Sequence, residues 1–310
     1  MSSLKEIKGR IASVQSTQKI TSAMSMVASA KLHKTQGMTE RFLRYKEELK
    51  KIVEDLNLTI VRNGEGGEEY QFETTDDNAT ATVTAPSGTN SGVVMLITIS
   101  SNSGLCGAFN SNIAKATFKR KAELEAQGYE VRVIPVGKKI AHELKKADVS
   151  HDSDFMTLME RVEKGDGYGN AAKIMDSITK TYNENPSMQV ELIYHHFKSM
   201  GSQIVTIYNL ALHTEFKENP KRKATSERYL TEPSVGELIK SLHPRLMLAE
   251  IYGTLLDSLT SEHAARMLAM QTADDNANDL LKELTLTYNK QRQQAITNEL
   301  IDIMSGKATS

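Results

Sequence analysis

The two ends of this 310-residue chain each have the pattern of one helix much longer than a globular domain needs. The first segment runs from about residue 3 to residue 58, and the second from about residue 244 to residue 304. At 1.5 Å per residue each is expected to span roughly 80–90 Å, whereas an average helix has about 11–12 residues. A helix of that length is stable in water when it packs along a partner. The sequence therefore predicts that the two ends pair as a long antiparallel two-helix coiled coil.

Apolar residues recur in both segments at three- and four-residue steps. The predicted stripe of the first helix contains Ile7, Ile11, Val14, Ile20, Met24 and Val27. The predicted stripe of the second helix contains Ile251, Leu255, Leu259, Met267, Met270, Ala273, Ala277, Leu280, Leu284, Tyr288, Ala295, Leu300 and Ile303. Because these steps do not form a strict heptad, we expect a gently wound pair with irregular stretches. Pro244 suits the first turn of the second helix.

Between the two helical segments, strand and helix patterns alternate. Residues 93–99 (VVMLITI) and 129–136 are expected to be strands, and 188–198 and 203–213 to form a hairpin. Helices are expected at 110–127, 138–146 and 171–185. This order predicts an α/β fold, a small Rossmann-like sheet domain with an antiparallel edge.

These patterns divide the chain into four segments. Residues 1–60 and 236–310 are the N- and C-terminal coiled-coil helices, and 93–235 is the α/β domain. Residues 61–92 are an acidic insertion rich in Gly and Thr, in which the TATVT run favours a short hairpin. The stretch 215–234 is polar and irregular, with clustered lysines and arginines.

Composition excludes several classes of protein. The formal net charge of -1 argues against a general nucleic-acid binder. A single cysteine excludes an internal disulfide framework and suits a reducing compartment. No stretch reaches the roughly 18–20 apolar residues of a membrane helix, so no direct membrane insertion is expected. The start MSSLKEIKGR has no apolar core of a signal peptide, and we expect a mature N-terminus without a transit peptide.

Motifs of cofactor and nucleotide sites are missing from the sequence. Nothing matches the phosphate-binding pattern G-x-x-x-x-G-K-[ST]. The loop 104–107 lies where a dinucleotide fold places its phosphate loop, but it lacks G-x-G-x-x-G. Gly165, Gly167 and Gly169 are expected to form a flexible turn. No bound cofactor or metal is predicted.

Catalytic side chains are not indicated either. His195 and His196 are adjacent in a predicted strand, so they point to opposite faces and cannot bind one metal together. Cys106 is expected to be a structural thiol, since no sequence feature supplies a base that would make it a nucleophile. The sequence predicts no active site of its own.

The first helix is strongly basic before residue 39. Its bases are Lys5, Lys8, Arg10, Lys19, Lys31 and Lys34, against the single acid Glu6. Three interpretations stay open for this face: contact with nucleic acid or acidic lipid, simple solvation, or contact with an acidic protein surface.

Three blocks of sequence carry a resemblance to a known family. The block LKEIKGRIASVQSTQKITSAMSMVASAKL strongly resembles the opening of the gamma subunit of rotary F-type ATP synthases. The block SEHAARMLAMQTADDNANDLLKELTLTYNKQRQQAITNELIDIMSG resembles the closing signature of that family. The block SSNSGLCGAFN is similar to its sheet-domain loop, with Asn102–Ser103 where Asp-Arg is usual. On these blocks the chain is identified as a member of the gamma subunit family.

The resemblance implies a function without chemistry of its own. A gamma subunit is the central rotor shaft of the F1Fo ATP synthase, and its coiled coil stands inside a hexamer of three alpha and three beta subunits. Its α/β domain stands with the epsilon subunit on the c-subunit ring. Proton flow turns the ring and shaft, and the asymmetric shaft biases the catalytic beta subunits among different states. The expected absence of a transit peptide favours a bacterial chain over a mature organellar one, held through these partners on the cytoplasmic face of the inner membrane.

The resemblance also assigns residues to partner contacts. Contacts with the alpha/beta hexamer are expected at Lys8, Arg10, Lys19, Met24, Cys106, Arg292, Gln293, Thr297, Leu300, Ile301 and Ile303. Contacts with the c ring and epsilon are expected at Tyr229, Glu232 and Pro233. Within the first set, Arg292 and Gln293 match a pair that hydrogen-bonds a beta-subunit catch loop, and residues 300–303 match an apolar tip in the hexamer bearing.

Two departures from the family pattern bear on this assignment. Ser22 and Ser25 stand where the family often has lysine and a charged residue, which weakens the expected electrostatic contact. The acidic insertion 61–92 is longer than usual, and we expect a lineage-specific loop. The alternative function is a coiled-coil adaptor with an α/β recognition domain and no hexameric partner.

Overall fold

The computed structural model describes residues 4–55, 58–62, 70–72, 92–150, 154–210, 214–218 and 235–307. The helices are α1 (Leu4–Asp55), α2 (Phe109–Ala126), α3 (Lys138–Lys146), α4 (Leu158–Lys164), α5 (Gly167–Glu184) and α6 (Val235–Lys307). The strands are β1 (Leu58–Arg62), β2 (Tyr70–Phe72), β3 (Val93–Ile99), β4 (Glu130–Val136), β5 (Gln189–Ser199), β6 (Ser202–Leu210) and β7 (Thr214–Glu218). The chain forms two compact units: unit 1 is Met1–Ala30 with Arg266–Ser310, and unit 2 is Lys31–Ala265.

Unit 2 is built on a mixed five-stranded sheet with the order β2-β6-β5-β3-β4. Strand β3 pairs in parallel with both β4 and β5. Strands β5 and β6 form an antiparallel hairpin, and β2 pairs antiparallel with β6. The expected α/β sheet with an antiparallel edge is confirmed. Strands β1 and β7 form a separate two-stranded antiparallel sheet.

The central strand β3 is buried on both of its faces. Val93, Met95, Ile97 and Ile99 pack into a core with residues of α4, α5 and α6. The intervening residues Val94 and Leu96 pack into a second core with α2 and α3. A strand covered by helices on both faces has no solvent side, which is why VVMLITI is a continuous apolar run.

The two long helices run antiparallel within unit 2. Thr39 Oγ1 lies 3.3 Å from Thr260 Oγ1, and Lys46 Nζ donates to Glu250 at 2.5 Å. Met38 and Phe42 of α1 pack against the same core as α6. The expected pairing of the chain ends is therefore confirmed in this unit.

The main inner positions of unit 1 alternate steps of three and four residues. In α1 they are Leu4, Ile7, Ile11, Val14, Gln18, Thr21, Ser25 and Ala28. In α6 they are Met267, Met270, Asp274, Ala277, Leu281, Leu284, Tyr288 and Gln291. Residues between these positions, such as Met24, Ala273 and Asn278, are also partly buried, so the expected irregular stretches stay a prediction. Polar residues occupy several inner positions, and they hide the heptad pattern from a search for apolar residues.

Five members of the predicted stripes face solvent instead. Ile20 is 59% exposed, Val27 56%, Leu280 44%, Leu300 56% and Ile303 62%. Gln18, Thr21 and Leu281, which the predicted stripes did not include, lie at inner positions instead.

The start of α6 also differs from the prediction. The helix begins at Val235, and Pro244 lies inside it rather than in its first turn. An interior proline costs about 3 kcal/mol because it removes a hydrogen bond and clashes with the preceding turn. Leu242 and Ala249, which lie on either side of Pro244, are buried against Leu49 of α1. This burial favours a helix that continues across the proline.

The expected flexible turn at Gly165–Gly169 is wrong. Gly165 ends α4 in the left-handed conformation, with φ of 92°. Gly167 and Gly169 belong to the first turn of α5. At Gly167 a Cβ atom would lie 2.7 Å from Val162 Cα, so close packing of α5 on α4 requires glycine there. The α4 helix itself has no counterpart in the sequence-based expectations.

Gly137 joins β4 to α3 and tolerates no side chain. Its φ is +106°, and a Cβ atom would lie 2.3 Å from the carbonyl oxygen of Ser100. We expect Gly137→Ala to lower the free energy of unfolding by about 1–3 kcal/mol. The added Cβ atom would strain the backbone at this φ and would clash with Ser100. Urea unfolding measures this effect. Gly201→Ala, at a position with open space around it, is the matched control and should change stability far less.

Candidate partner-binding surfaces

The C-terminal part of α6 runs past the described part of α1. In unit 1, Gln18 Nε2 donates to Asn278 Oδ1 at 2.7 Å, which sets the register of the two helices. Followed outward from this pair, Leu4 of α1 lies level with about Arg292 of α6. Residues 293–307 of α6 therefore extend beyond the described residues of α1. Among the described residues, none of α1 lies level with this segment to cover its inner positions.

Large apolar side chains on this extension face solvent. Leu300 is 56% exposed, Ile301 57%, Ile303 62% and Met304 74%. A cluster of exposed apolar side chains on an otherwise polar helix marks a contact surface. These residues include the three that the sequence assigned to an apolar tip.

Arg292 and Gln293 lie at the start of the extension, and both are exposed. Thr297, one turn later, is also exposed, and its hydroxyl donates to the carbonyl oxygen of Gln293 at 2.9 Å. The guanidinium of Arg292 offers several donors in a fixed plane, and the amide of Gln293 offers both a donor and an acceptor. The structure thus brings the predicted pair together on one exposed turn.

A second apolar stripe lies on the outer surface of α1 in unit 1. Ile20, Met24 and Val27 follow steps of four and three residues, with Ile20 and Val27 more than half exposed and Met24 partly buried. Lys19, Lys8 and Arg10 are exposed on the same helix. The structure therefore separates an inner heptad from an outer face that combines apolar and basic side chains.

The loop between β3 and α2 presents a different side chain from the one expected. Cys106 is 1% exposed, and Asn110 Nδ2 donates to its Sγ at 3.1 Å. Asn110 Oδ1 accepts from the backbone N–H of Ser101 at 3.1 Å, which fixes the amide. The neighbouring Leu105 is 61% exposed with φ of 64°. The thiol is buried, as predicted for a structural cysteine, and Leu105 is the exposed apolar residue of the loop.

Sequence reasoning missed Leu105. Leu105 and Cys106 both lie between Gly104 and Gly107, outside any helix or strand, so the sequence pattern does not tell which of the two is exposed. The backbone of Leu105 has a positive φ, which non-glycine residues rarely adopt.

The two adjacent histidines of β5 occupy opposite faces, as predicted. His195 is 1% exposed and stacks on Phe109 with ring centroids 4.0 Å apart. Burial lowers the pKa of His195 to about 3. His196 Nδ1 lies 2.7 Å from Asp257 Oδ2, and Asp257 Oδ1 accepts from the backbone N–H of Phe197 at 2.8 Å. The contacts of Asp257 with His196 and Phe197 therefore connect β5 to α6.

Neither a metal-binding cluster nor a membrane-spanning helix is found among the described residues. Across the described ranges, His, Cys, Asp and Glu side chains form no group of three that could hold a metal ion. None of the described helices combines the length and apolarity needed to cross a bilayer. The expected contact residues Tyr229, Glu232 and Pro233 and the expected TATVT hairpin lie outside the described residues.

Comparison with known proteins identifies the family. A family model described as ATP synthase matches residues 3–309. The ATP synthase gamma chain of Parabacteroides distasonis is 43% identical over 312 residues, which cover 100% of both chains. The chain belongs to the ATP synthase gamma chain family. The ATP synthase gamma chain of Bacteroides fragilis is also 43% identical, over 99% of both chains. The resemblance carried by the three sequence blocks is thus confirmed.

Solved structures agree with this gamma chain at the level of the fold. One chain of the Euglena gracilis mitochondrial ATP synthase, from the OSCP/F1/c-ring part in rotational state 3, has a TM-score of 0.60 and 18% identity. The match covers 99% of this chain and 94% of that chain. At this identity the likeness concerns the arrangement of the helices and sheet.

Proposed function

We propose that this gamma chain is the central rotor shaft of a bacterial F1Fo ATP synthase. In this role it has no active site of its own and couples proton-driven rotation of the c ring to conformational cycling of the beta subunits. The observation that carries the proposal is the exposed apolar extension of α6, residues 300–304, in a chain of the gamma family. A cluster of apolar side chains exposed to water lowers the solubility of the isolated chain, so it indicates a partner that covers these side chains.

The partners proposed are three alpha and three beta subunits, the epsilon subunit and the c-subunit ring. The hexamer would cover the extension of α6, with Leu300, Ile301 and Ile303 in an apolar bearing. Arg292 and Gln293 would hydrogen-bond a loop of a beta subunit, with Thr297 holding the same turn.

The basic outer face of α1 would meet an acidic part of the beta subunit. Lys8, Arg10 and Lys19 are exposed, and Met24 lies in the apolar stripe of the same helix. Of the three interpretations of this basic face, membership in the gamma family favours an acidic protein surface. We propose that the loop holding Cys106 also contacts the hexamer, with Leu105 as the side chain that touches the partner.

The remaining contacts are proposed on family grounds. Tyr229, Glu232 and Pro233 are assigned to the c ring and epsilon. The chain would be held on the cytoplasmic face of the inner membrane through these partners, in agreement with the bacterial origin of its relatives.

Coupling in such a shaft is a free energy that links shaft angle to nucleotide affinity. A shaft can supply it when its faces differ, because each beta subunit then meets a different surface at each angle. The α1 helix of unit 1 meets this condition. Its inner side is a heptad, while its outer side combines the apolar stripe of Ile20, Met24 and Val27 with exposed bases.

Reconstitution with alpha and beta subunits from the same source tests the proposal. We expect a stable complex of three alpha, three beta and one gamma chain. ATPase turnover should fall at least about tenfold in the Arg292→Ala, Gln293→Ala double variant, since charged hydrogen bonds contribute about 1.5–3 kcal/mol and 1.36 kcal/mol corresponds to a factor of ten. Lys290→Ala, also exposed on this helix, is the matched control and should keep wild-type turnover. Failure of the wild-type chain to bind the hexamer would contradict the proposal and favour the adaptor.

A further inference from the structure

One carboxylate of unit 2 connects α4 to both long helices. Glu163 lies one residue before the end of α4. Its Oε1 is 2.8 Å from Lys31 Nζ of α1 and 3.7 Å from His263 Nε2 of α6. Lys34 Nζ of α1 donates to the backbone carbonyl oxygen of Glu163 at 3.2 Å. Three side chains from two helices thus converge on one residue.

The chemistry of this cluster suits the end of a helix. The last carbonyl groups of a helix have no partner within the helix and carry partial negative charge. Lys34 satisfies one of these carbonyl groups, while Lys31 neutralises the side chain of the same residue. Glu163 is 30% exposed at its side chain, and the imidazole of His263 is 1% exposed.

The cluster lies next to the last residues of α6 that pack into the apolar core of the sheet domain. Met247, Ile251, Leu255 and Leu259 of α6 pack into the core that includes β3. The next residues of α6, Thr260 to His263, are buried but polar. Lys31 is the first residue of unit 2 on α1, so Glu163 holds the last part of both helices that belongs to this unit.

We propose that Glu163 is a positioning residue that fixes α1 and α6 to α4 and so carries torque between the coiled coil and the α/β domain. This inference rests on the proposed function. A torque on the helix pair is transmitted to the sheet domain through the elements that the pair contacts. Glu163 supplies such a contact on both helices, through an ion pair at 2.8 Å with Lys31 of α1 and a longer approach of 3.7 Å to His263 of α6.

Measurements on the assembled ATP synthase in inverted membrane vesicles test this role. We expect the Glu163→Ala variant to assemble with its partners. We also expect the number of protons pumped per ATP hydrolysed against an opposing gradient to fall below the wild-type value, because part of the torque is lost between the helix pair and the sheet domain. In the purified chain, amide hydrogen exchange at residues 31–35 should become faster by about two- to fivefold. Glu163→Gln keeps the shape and removes the charge, and it replaces the alanine variant if that variant fails to assemble.

Glu160→Ala is the matched control. Glu160 lies one turn earlier on α4 and forms an ion pair of the same length, 2.8 Å, with Lys138 of α3 rather than with a long helix. It should change neither the pumping ratio nor the exchange at residues 31–35. Faster exchange with an unchanged pumping ratio in the Glu163 variants would overturn the torque role, as would unchanged values of both. Loss of the complex already with the wild-type chain would instead contradict the proposed function.

Discussion

Arg120→Ala is expected to lower the free energy of unfolding by about 3–5 kcal/mol, because it leaves a buried carboxylate without its partner. Arg120 of α2 donates from Nε and Nη2 to the two carboxylate oxygens of Glu191 on β5, at 2.8 and 2.6 Å. The side chain of Glu191 is only 4% exposed. The hydrogen bonds to Glu191 raise the pKa of Arg120 above its usual range, against the opposing effect of burial, so the buried guanidinium stays charged.

Urea unfolding followed by circular dichroism measures the loss. Arg132→Ala is the matched control, since Arg132 also pairs with a glutamate, Glu130, at 2.9 Å, but both side chains are largely exposed. That variant should lose about 0–1 kcal/mol. The double variant Arg120→Met, Glu191→Leu should recover most of the loss, because neither charge is then buried. A loss in Arg120→Ala no larger than in Arg132→Ala would contradict the assigned role of the pair.

The sequence predicts the α/β architecture because the apolar pattern of each strand follows the burial of its two faces. The run at 93–99 is apolar at every position, and the structure places helices on both of its sides. The hairpin of β5 and β6 follows from two extended runs joined by a short turn at Met200 and Gly201. In these elements local propensity and tertiary packing favour the same structure.

The coiled coil was harder to predict in detail because apolar pattern alone does not distinguish an inner from an outer face. Ile20 and Val27 have the spacing of a buried stripe, yet both are more than half exposed, while Gln18 and Thr21 lie inside. The deciding contact, between Gln18 and Asn278, joins residues that are far apart in sequence. The helix α4 was also hard to predict, because it is short and its N-cap residue Thr157 makes no side-chain capping hydrogen bond.

The candidate contact residues were found through motifs rather than through physical pattern. Arg292, Gln293 and Thr297 have no apolar periodicity that would mark them, and the structure adds that they are exposed on one turn. For the loop before α2, the motif marked Cys106, whereas the structure buries that thiol and exposes Leu105. A motif locates a functional loop, but the backbone conformation decides which of its side chains reaches a partner.

The stability of the chain is expected to fall as pH drops below about 6.5, with His195 as a large single contributor. Burial lowers the pKa of this imidazole from 6.5 to about 3, so below pH 6.5 the unfolded chain binds a proton that the folded chain does not. The contribution of His195 is therefore complete above the unfolded pKa and is lost as pH falls towards the folded one. At 1.36 kcal/mol per pKa unit, the loss amounts to about 2 kcal/mol at pH 5 and about 3 kcal/mol at pH 4.

The variant His195→Phe isolates this contribution, since a phenyl ring can stack on Phe109 and does not titrate. Urea unfolding at pH 7.5 and pH 5 should show a loss of stability on acidification that is smaller by about 2 kcal/mol in the variant than in the wild-type chain. Groups that titrate in both proteins cancel in this difference. His142→Gln, at an exposed position on α3, is the matched control and should keep the wild-type dependence on pH. An equal loss in His195→Phe and the wild-type chain would mean that His195 is protonated in the folded state, and the burial and stacking described for this residue would then be wrong.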